Sequence, residues 1–176
     1  MSWSPILAAL VVALLLPIVE VAAQQPQPRK LGDFQSWTAV TLGEGGQKIC
    51  YAFARAARSE GVPNRPAQGV MLVVTHRPQG RDQVAMRAGY NYPRNADGGD
   101  PVQVSVGGTA LGFYTAQDSA FARDNRAAVA AFRNGREAVA RGPGPNGRGQ
   151  ASDTFPLAGF GQAYDAISRD CPAARR

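Results

Sequence analysis

The sequence predicts a mostly β fold: a single β-sandwich or barrel-like domain with two short helices, the C-terminal one tied down by a disulfide. Three observations predict it. Short apolar runs recur at close spacing, punctuated by Gly, Pro, Asn and Asp, which is the pattern of many strands joined by tight turns. Only two segments carry helical periodicity. And the two cysteines, Cys50 and Cys171, stand near opposite ends of that pattern. The composition agrees, since 44% of the 176 residues are apolar, a globular proportion.

In chain order, "FQSWTAVTL" (34–42) and "QKICYAFAR" (47–55) alternate like strands and form a hairpin across "GEGG". "RSEGVPNRPAQG" (58–69) is rich in breakers and reads as a loop. "VMLVVTH" (70–76) is the most apolar run and is expected to be a central strand. "RPQGRD" turns the chain and "QVAMRAGY" (83–90) returns. "NYPRNADGGDP" is a loop. "VQVSV" (102–106) and "TALGFYT" (109–115) flank Gly107 and Gly108, a pair suited to the positive φ of a type I′ turn. The first helix starts at the N-cap candidate Asp124 and stops at Gly135, with Ala128, Ala131 and Phe132 on one face. "REAVARG" is a further strand, "PGPNGRGQASD" a loop and "TFPL" a short edge strand. The second helix, "GFGQAYDAISRD", places Phe160, Ala163, Tyr164 and Ile167 on one stripe, and Cys171 falls on it four residues later.

The second strand explains where that stripe goes. Cys50, Ala52 and Ala54 share one face, and small side chains let a helix approach closely. A Cys50–Cys171 bond would close a loop of about 120 residues, worth on the order of 4–5 kcal/mol in the chain-entropy model. A redox pair would want C-x-x-C, and a zinc site more ligands than two Cys and one His supply.

The N-terminus reads as a leader. Residues 6–19 are almost wholly apolar, the length of a signal-peptide core and short for a membrane span. Val21 and Ala23 are the small residues of a cleavage site after Ala23. Residues 1–23 are thus expected to be a signal peptide, 24–30 a polar tether and 31–176 the β domain; the n-region "MSWSP" lacks Lys and Arg, and an uncleaved anchor is the alternative. No transmembrane helix is expected after cleavage. Loss of Glu20 with the leader raises the formal net charge from +6 to +7. A basic exported protein favours an anionic envelope polymer or an envelope protein as partner, whereas nucleic acid is a poor target in that compartment. The cationic residues are scattered, with no run of them.

Little in the chain carries chemistry. His76 is the one histidine, and Asp82, six residues on, is close enough across the turn to orient it. No nucleophile motif accompanies the two, so the strand exit "HRP" reads first as structural. A hydrolase-like periplasmic enzyme centred on His76 and Asp82 is the alternative. "GPGPNG" (142–147) spells G-x-G-x-x-G, but Pro143 and Pro145 remove amides and no helix follows. "DGGD" (97–100) lacks the ligand spacing of a calcium loop. Trp37 reads as a core aromatic. Tyr90 and Tyr92 flank a loop and join His76 and Arg77 as candidate binding residues. No catalytic residue, metal ligand or cofactor is assigned.

"FQSWTAVTLGEGGQKICYA", "VVTHRP", "RDQVAMRAGY", "DTFPLAGFGQAYDAI" and the final Cys, in that order, resemble the invasion-associated locus B family of exported alphaproteobacterial proteins. Lys48-Ile49-Cys50-Tyr51 and Thr75-His76-Arg77-Pro78 are the most specific blocks. One departure is Phe121, where the family pattern has Trp. The resemblance implies a β-rich domain in the periplasm, the outer envelope or outside the cell. Pathogenic members are linked to entry into host red cells, a role that free-living members cannot share. It transfers no catalytic residue. The expectation is a monomeric, non-catalytic binding protein of the envelope.

Overall fold

The computed structural model describes residues 27–65, 69–95 and 98–173. The expected signal peptide lies outside them, as do the first three residues of the tether. The strands are β1 (Arg29–Phe34), β2 (Trp37–Glu44), β3 (Gln47–Arg55), β4 (Arg58–Glu60), β5 (Met71–Arg77), β6 (Gly80–Arg87), β7 (Val102–Val106), β8 (Thr109–Ala116), β9 (Ser119–Ala122), β10 (Glu137–Pro143) and β11 (Gln150–Pro156). The helices are α1 (Asn125–Asn134) and α2 (Phe160–Asp170). The domain is therefore mostly β with two helices, as the turn-punctuated runs predict.

All strands belong to one antiparallel sheet of order β1-β2-β3-β5-β6-β9-β8-β7-β10-β11-β4. The sheet is rolled, and its two ends meet. Only Ala56 and Ala57 separate β3 from β4, yet β4 pairs with β11 at the far end of the order. Ala57 N–H donates to the Thr154 carbonyl at 2.8 Å, and Trp37 Nε1–H to the Pro156 carbonyl at 3.0 Å. The form is thus barrel-like rather than two stacked sheets.

The hairpins follow local chemistry. Gly45 and Gly46 both have positive φ (55° and 77°), as a two-residue type I′ turn requires between β2 and β3. Between β7 and β8 only Gly107 is positive (54°), so the expected type I′ turn is replaced by the single-positive pattern of type II′. Asp124 caps α1, its carboxylate accepting from Ala127 N–H at 2.9 Å. Gly135 ends α1 for want of space rather than for a left-handed turn: its φ is −88°, and a Cβ there would lie 2.3 Å from Val106.

Both helices pack one face against the buried side of the sheet. Cys50, Ala52 and Ala54 on β3 are buried, and α2 lies across β1, β2 and β3 on that small-residue face. Phe160 of α2 is the hub of the core. Its ring meets Trp37 at 4.9 Å and Phe132 of α1 at 5.5 Å, both edge to face. Such pairs add about 0.5–1.5 kcal/mol each beyond the area they bury. The Cys50–Cys171 disulfide then fastens the end of α2 to β3.

Several elements depart from the sequence expectation: β9 is not among the expected strands, and the run 34–42 is broken by a turn at Gln35 and Ser36. β1 takes in Arg29 and Lys30, the last two residues of the segment read as tether. β4 forms within the segment read as loop, from three exposed residues that cap the β11 edge. β11 is seven residues long and lies between β10 and β4, so "TFPL" is the end of an inner strand.

Candidate functional site

His76 ends the inward-facing series Leu72, Val74, His76 on β5, opposite Cys50 of β3. Its side chain is 1% exposed. The β5–β6 hairpin turns through Pro78 and Gln79, tighter than the six-residue turn expected, so Arg81 and Asp82 belong to β6. There the register shifts: Thr75 pairs with Gln83 and Arg77 with Gly80, leaving Arg81 and Asp82 opposite His76 alone. This is a β-bulge, two residues facing one, and it re-aims the side chains it carries. Asp82 takes the left-handed conformation (φ 61°), which Asp tolerates better than most residues.

The bulge wires His76 to α2. Asp82 backbone N–H donates to His76 Nδ1 at 3.2 Å, and His76 Nε2 lies 3.0 Å from Ser168 Oγ. Since Nδ1 accepts, the neutral ring carries its proton on Nε2 and donates to Ser168. Arg81 Nη2 donates to the same Ser168 oxygen at 3.2 Å, and Arg81 Nη1 donates to the Cys171 carbonyl. The Asp82 carboxylate accepts from Tyr164 O–H at 2.5 Å, and the Tyr164 ring meets the imidazole edge to face at 5.2 Å.

Burial, then the neighbouring Arg81 charge, pushes the His76 pKa down to about 4, outweighing the Asp82 carboxylate and the Thr75 backbone. The 3.6 Å approach of Asp82 Oδ1 to Nδ1 is therefore not an ion pair at neutral pH. Burial, followed by the hydrogen bond to Asp82, raises the Tyr164 phenol above its ordinary range.

These residues superficially form a Ser–His–Asp constellation, and its wiring opposes catalysis. A general-base histidine keeps Nδ1–H for the carboxylate and a lone pair on Nε2 for the serine hydroxyl. Here the proton is on Nε2, and Ser168 Oγ already accepts from two donors. The arrangement is a buried clasp joining β5, β6 and α2.

The clasp has a pH signature. In the unfolded chain His76 would take up a proton near its ordinary value of about 6.5. In the folded protein it does so only near 4. Stability from this group is therefore complete above about pH 6.5 and falls as pH drops toward 4, by about 3 kcal/mol at most. Melting curves between pH 7 and 4 should show a steeper decline for wild type than for His76→Gln. Parallel declines would remove His76 from this role.

The other candidates lie elsewhere. Arg77 is exposed and pairs with Glu44 of β2 at 2.6 Å. Tyr90 and Tyr92 do come together, edge to face at 5.3 Å. Tyr92 offers no exposed aromatic face, however: it is 8% exposed, and burial holds its phenol well above the ordinary range. Tyr90 O–H donates to the Pro143 carbonyl at 2.8 Å, and the Arg65 guanidinium lies 5.5 Å from the Tyr90 ring centre. Beneath it Arg65 pairs with Asp153 of β11, both side chains 2% exposed. Sequence reasoning missed Arg81, Ser168 and the Arg65–Asp153 pair. Ser168 was within reach, because it follows Tyr164 by one helical turn on the inner stripe. Arg65 and Asp153 carry no local signal.

Comparison with known proteins agrees with this architecture. The family model described as "Invasion associated locus B (IalB) protein" matches residues 37–168. The crystal structure of invasion associated protein B from Bartonella henselae is similar in fold, with a TM-score of 0.50 and 17% identity over 78% of this chain and 94% of that one. No curated protein sequence matches the chain. The family match runs from Trp37 at the start of β2 to Ser168 in the clasp, taking in β2 to β11, α1 and all but the last two residues of α2, so the chain belongs to the invasion associated locus B family.

Proposed function

We propose that this protein is exported and works at the cell envelope as a non-catalytic binding protein, its partner an envelope protein or an anionic envelope polymer. The carrying observation is the hydrogen bond at His76 Nδ1: the amide of Asp82 occupies it, which puts the ring proton on Nε2, so the ring cannot serve as base toward Ser168. The basic net charge supports an anionic partner. Among the described residues no helix is long and apolar enough to cross a membrane.

Crosslinking in intact cells, with tagged protein recovered and its partners identified by mass spectrometry, tests the reading. The expected result is either one stoichiometric envelope protein that survives high salt, or an envelope polymer released as salt rises. Recovery no greater than that of an unrelated exported control would sink it. The hydrolase alternative, which the short Ser168–His76 contact would favour, separates cleanly. His76→Ala should lower the melting temperature and impair function together; loss of function at an unchanged melting temperature would favour the enzyme.

A further inference from the structure

The end of β5, the bulge of β6 and the end of α2 surround a cleft of about 250 Å³, lined among others by Lys48, Arg77, Pro78, Arg81, Asp170 and Pro172. Cations from three strands meet there, with one carboxylate among the residues named. That carboxylate is already shared, since Asp170 lies 2.9 Å from Lys48 Nζ and 3.3 Å from Arg29 Nη2. Among the described residues Arg77 is neutralised only by Glu44, whose side chain is 60% exposed, so that pair is weak and screened. Arg81 differs from both. Its bonds go to the Ser168 hydroxyl and the Cys171 carbonyl, which are neutral, and among the described residues no carboxylate pairs with it. A guanidinium has five N–H donors. Two bonds hold this one in place and leave the remainder for a ligand.

We propose that this cleft binds a phosphoryl group, with Arg81 as a fixed fork and Arg77 and Lys48 as flanking charges. The inference rests on the reading of the protein as a binder of anionic partners, and it names the chemistry of the ligand. A phosphate monoester carries about −1.5 to −2 charges at pH 7, which matches the surplus of cations over carboxylate in the lining. Planar Arg also pairs bidentately with phosphate oxygens. The "THRP" block thereby gains a division of labour. His76 holds the clasp below, while Arg77 and Pro78 line the cleft above.

Isothermal titration of the oxidised protein with inorganic phosphate, at low ionic strength, should show saturable binding at one site. Losing a charged hydrogen-bond donor is worth about tenfold or more in affinity, so Arg81→Gln should weaken binding by at least about that much. Arg77→Gln should weaken it severalfold. Arg141→Gln, on the exposed face of β10, should leave it within about twofold. Should Arg81→Gln not fold, Arg77→Gln carries the test, because Arg77 is exposed. Phosphatidylcholine vesicles with and without phosphatidic acid separate the sources. Retention only on the acid-bearing vesicles, competed by inorganic phosphate, assigns a lipid headgroup; phosphate binding without retention assigns a soluble phosphate. No saturable binding, or folded Arg81→Gln and Arg77→Gln variants that bind as wild type does, would overturn the site. If an anionic polymer is still captured in cells, the site alone has failed; if nothing is captured, the broader reading has failed with it.

Discussion

Reduction of the Cys50–Cys171 bond is expected to lower the melting temperature by roughly 10–20 °C. The two cysteines are 121 residues apart in sequence. Closing so long a loop removes on the order of 4–5 kcal/mol of conformational entropy from the unfolded chain. In a domain of this size each 1 kcal/mol shifts the midpoint by about 2–4 °C. The bond also anchors the last turn of α2, where the Cys171 carbonyl accepts from Arg81 and Ser168 accepts from His76. Calorimetry of oxidised and reduced protein, with thiol titration to verify two free cysteines, is the measurement. A fully reduced protein that melts within about 3 °C of the oxidised one would show that the bond is incidental. The Cys50→Ala, Cys171→Ala double variant should resemble the reduced protein.

Asp153→Asn is expected to cost about 3–5 kcal/mol, because it strands a buried guanidinium without its counter-charge. The side chains of Arg65 and Asp153 are each 2% exposed, so water cannot take the missing partner's place. Arg65 also donates to the Ala88 carbonyl at 3.1 Å and lies over Tyr90, so it ties the segment after β4 to the end of β6. Arg65→Met alone should be comparably damaging, since it leaves the carboxylate. Arg65→Met with Asp153→Leu should recover much of the loss, because a packed apolar pair needs no desolvation. Denaturant unfolding of wild type, both singles and the double measures the coupling. Singles that cost less than about 1 kcal/mol, or a double that costs the sum of the two, would mean that the pair is solvated or unimportant.

Both predictions concern features that differ sharply in how visible they are in the sequence. The disulfide is legible: two cysteines, one on a strand face of small residues and one at the end of a helical stripe, have a reason to meet. The Arg65–Asp153 pair is not. Arg65 sits in a stretch rich in breakers, and Asp153 sits among small polar residues that read as loop. What makes "QASD" strand is β10 on one side and β4 on the other. β4 itself is Arg58, Ser59 and Glu60, which carry no strand signal and pair because β11 offers an open edge. β9 (Ser119–Ala122) is likewise short, held between β6 and β8.

The site shows the same division. That His76 stands at a strand exit, and that Asp82 is close to it, follows from the residues alone. Its inward direction does not, because both alternating sets of "VMLVVTH" are apolar, and neither does its proton. The tautomer depends on a bulge that turns the Asp82 amide toward Nδ1 and on a helix that brings Ser168 within 3.0 Å of Nε2. Tyr90 and Tyr92 show the reverse case. A loop position suggests exposure, but Arg65 and the Pro143 carbonyl hold Tyr90 in place, and Tyr92 is buried against it.

By itself the sequence determined the fold class, most strands, both helices, the cysteine pairing and the family. Those depend on periodicity, turn chemistry and caps, which act between near neighbours along the chain. Only the tertiary structure decided that the sheet rolls until its ends meet, that a bulge aims Arg81, and that His76 is a neutral clasp. Each of these requires polar groups from distant segments to find one another, as His76 and Ser168 do across 92 residues. A buried polar group is tolerated only where such a partner arrives, and no local pattern says which one will.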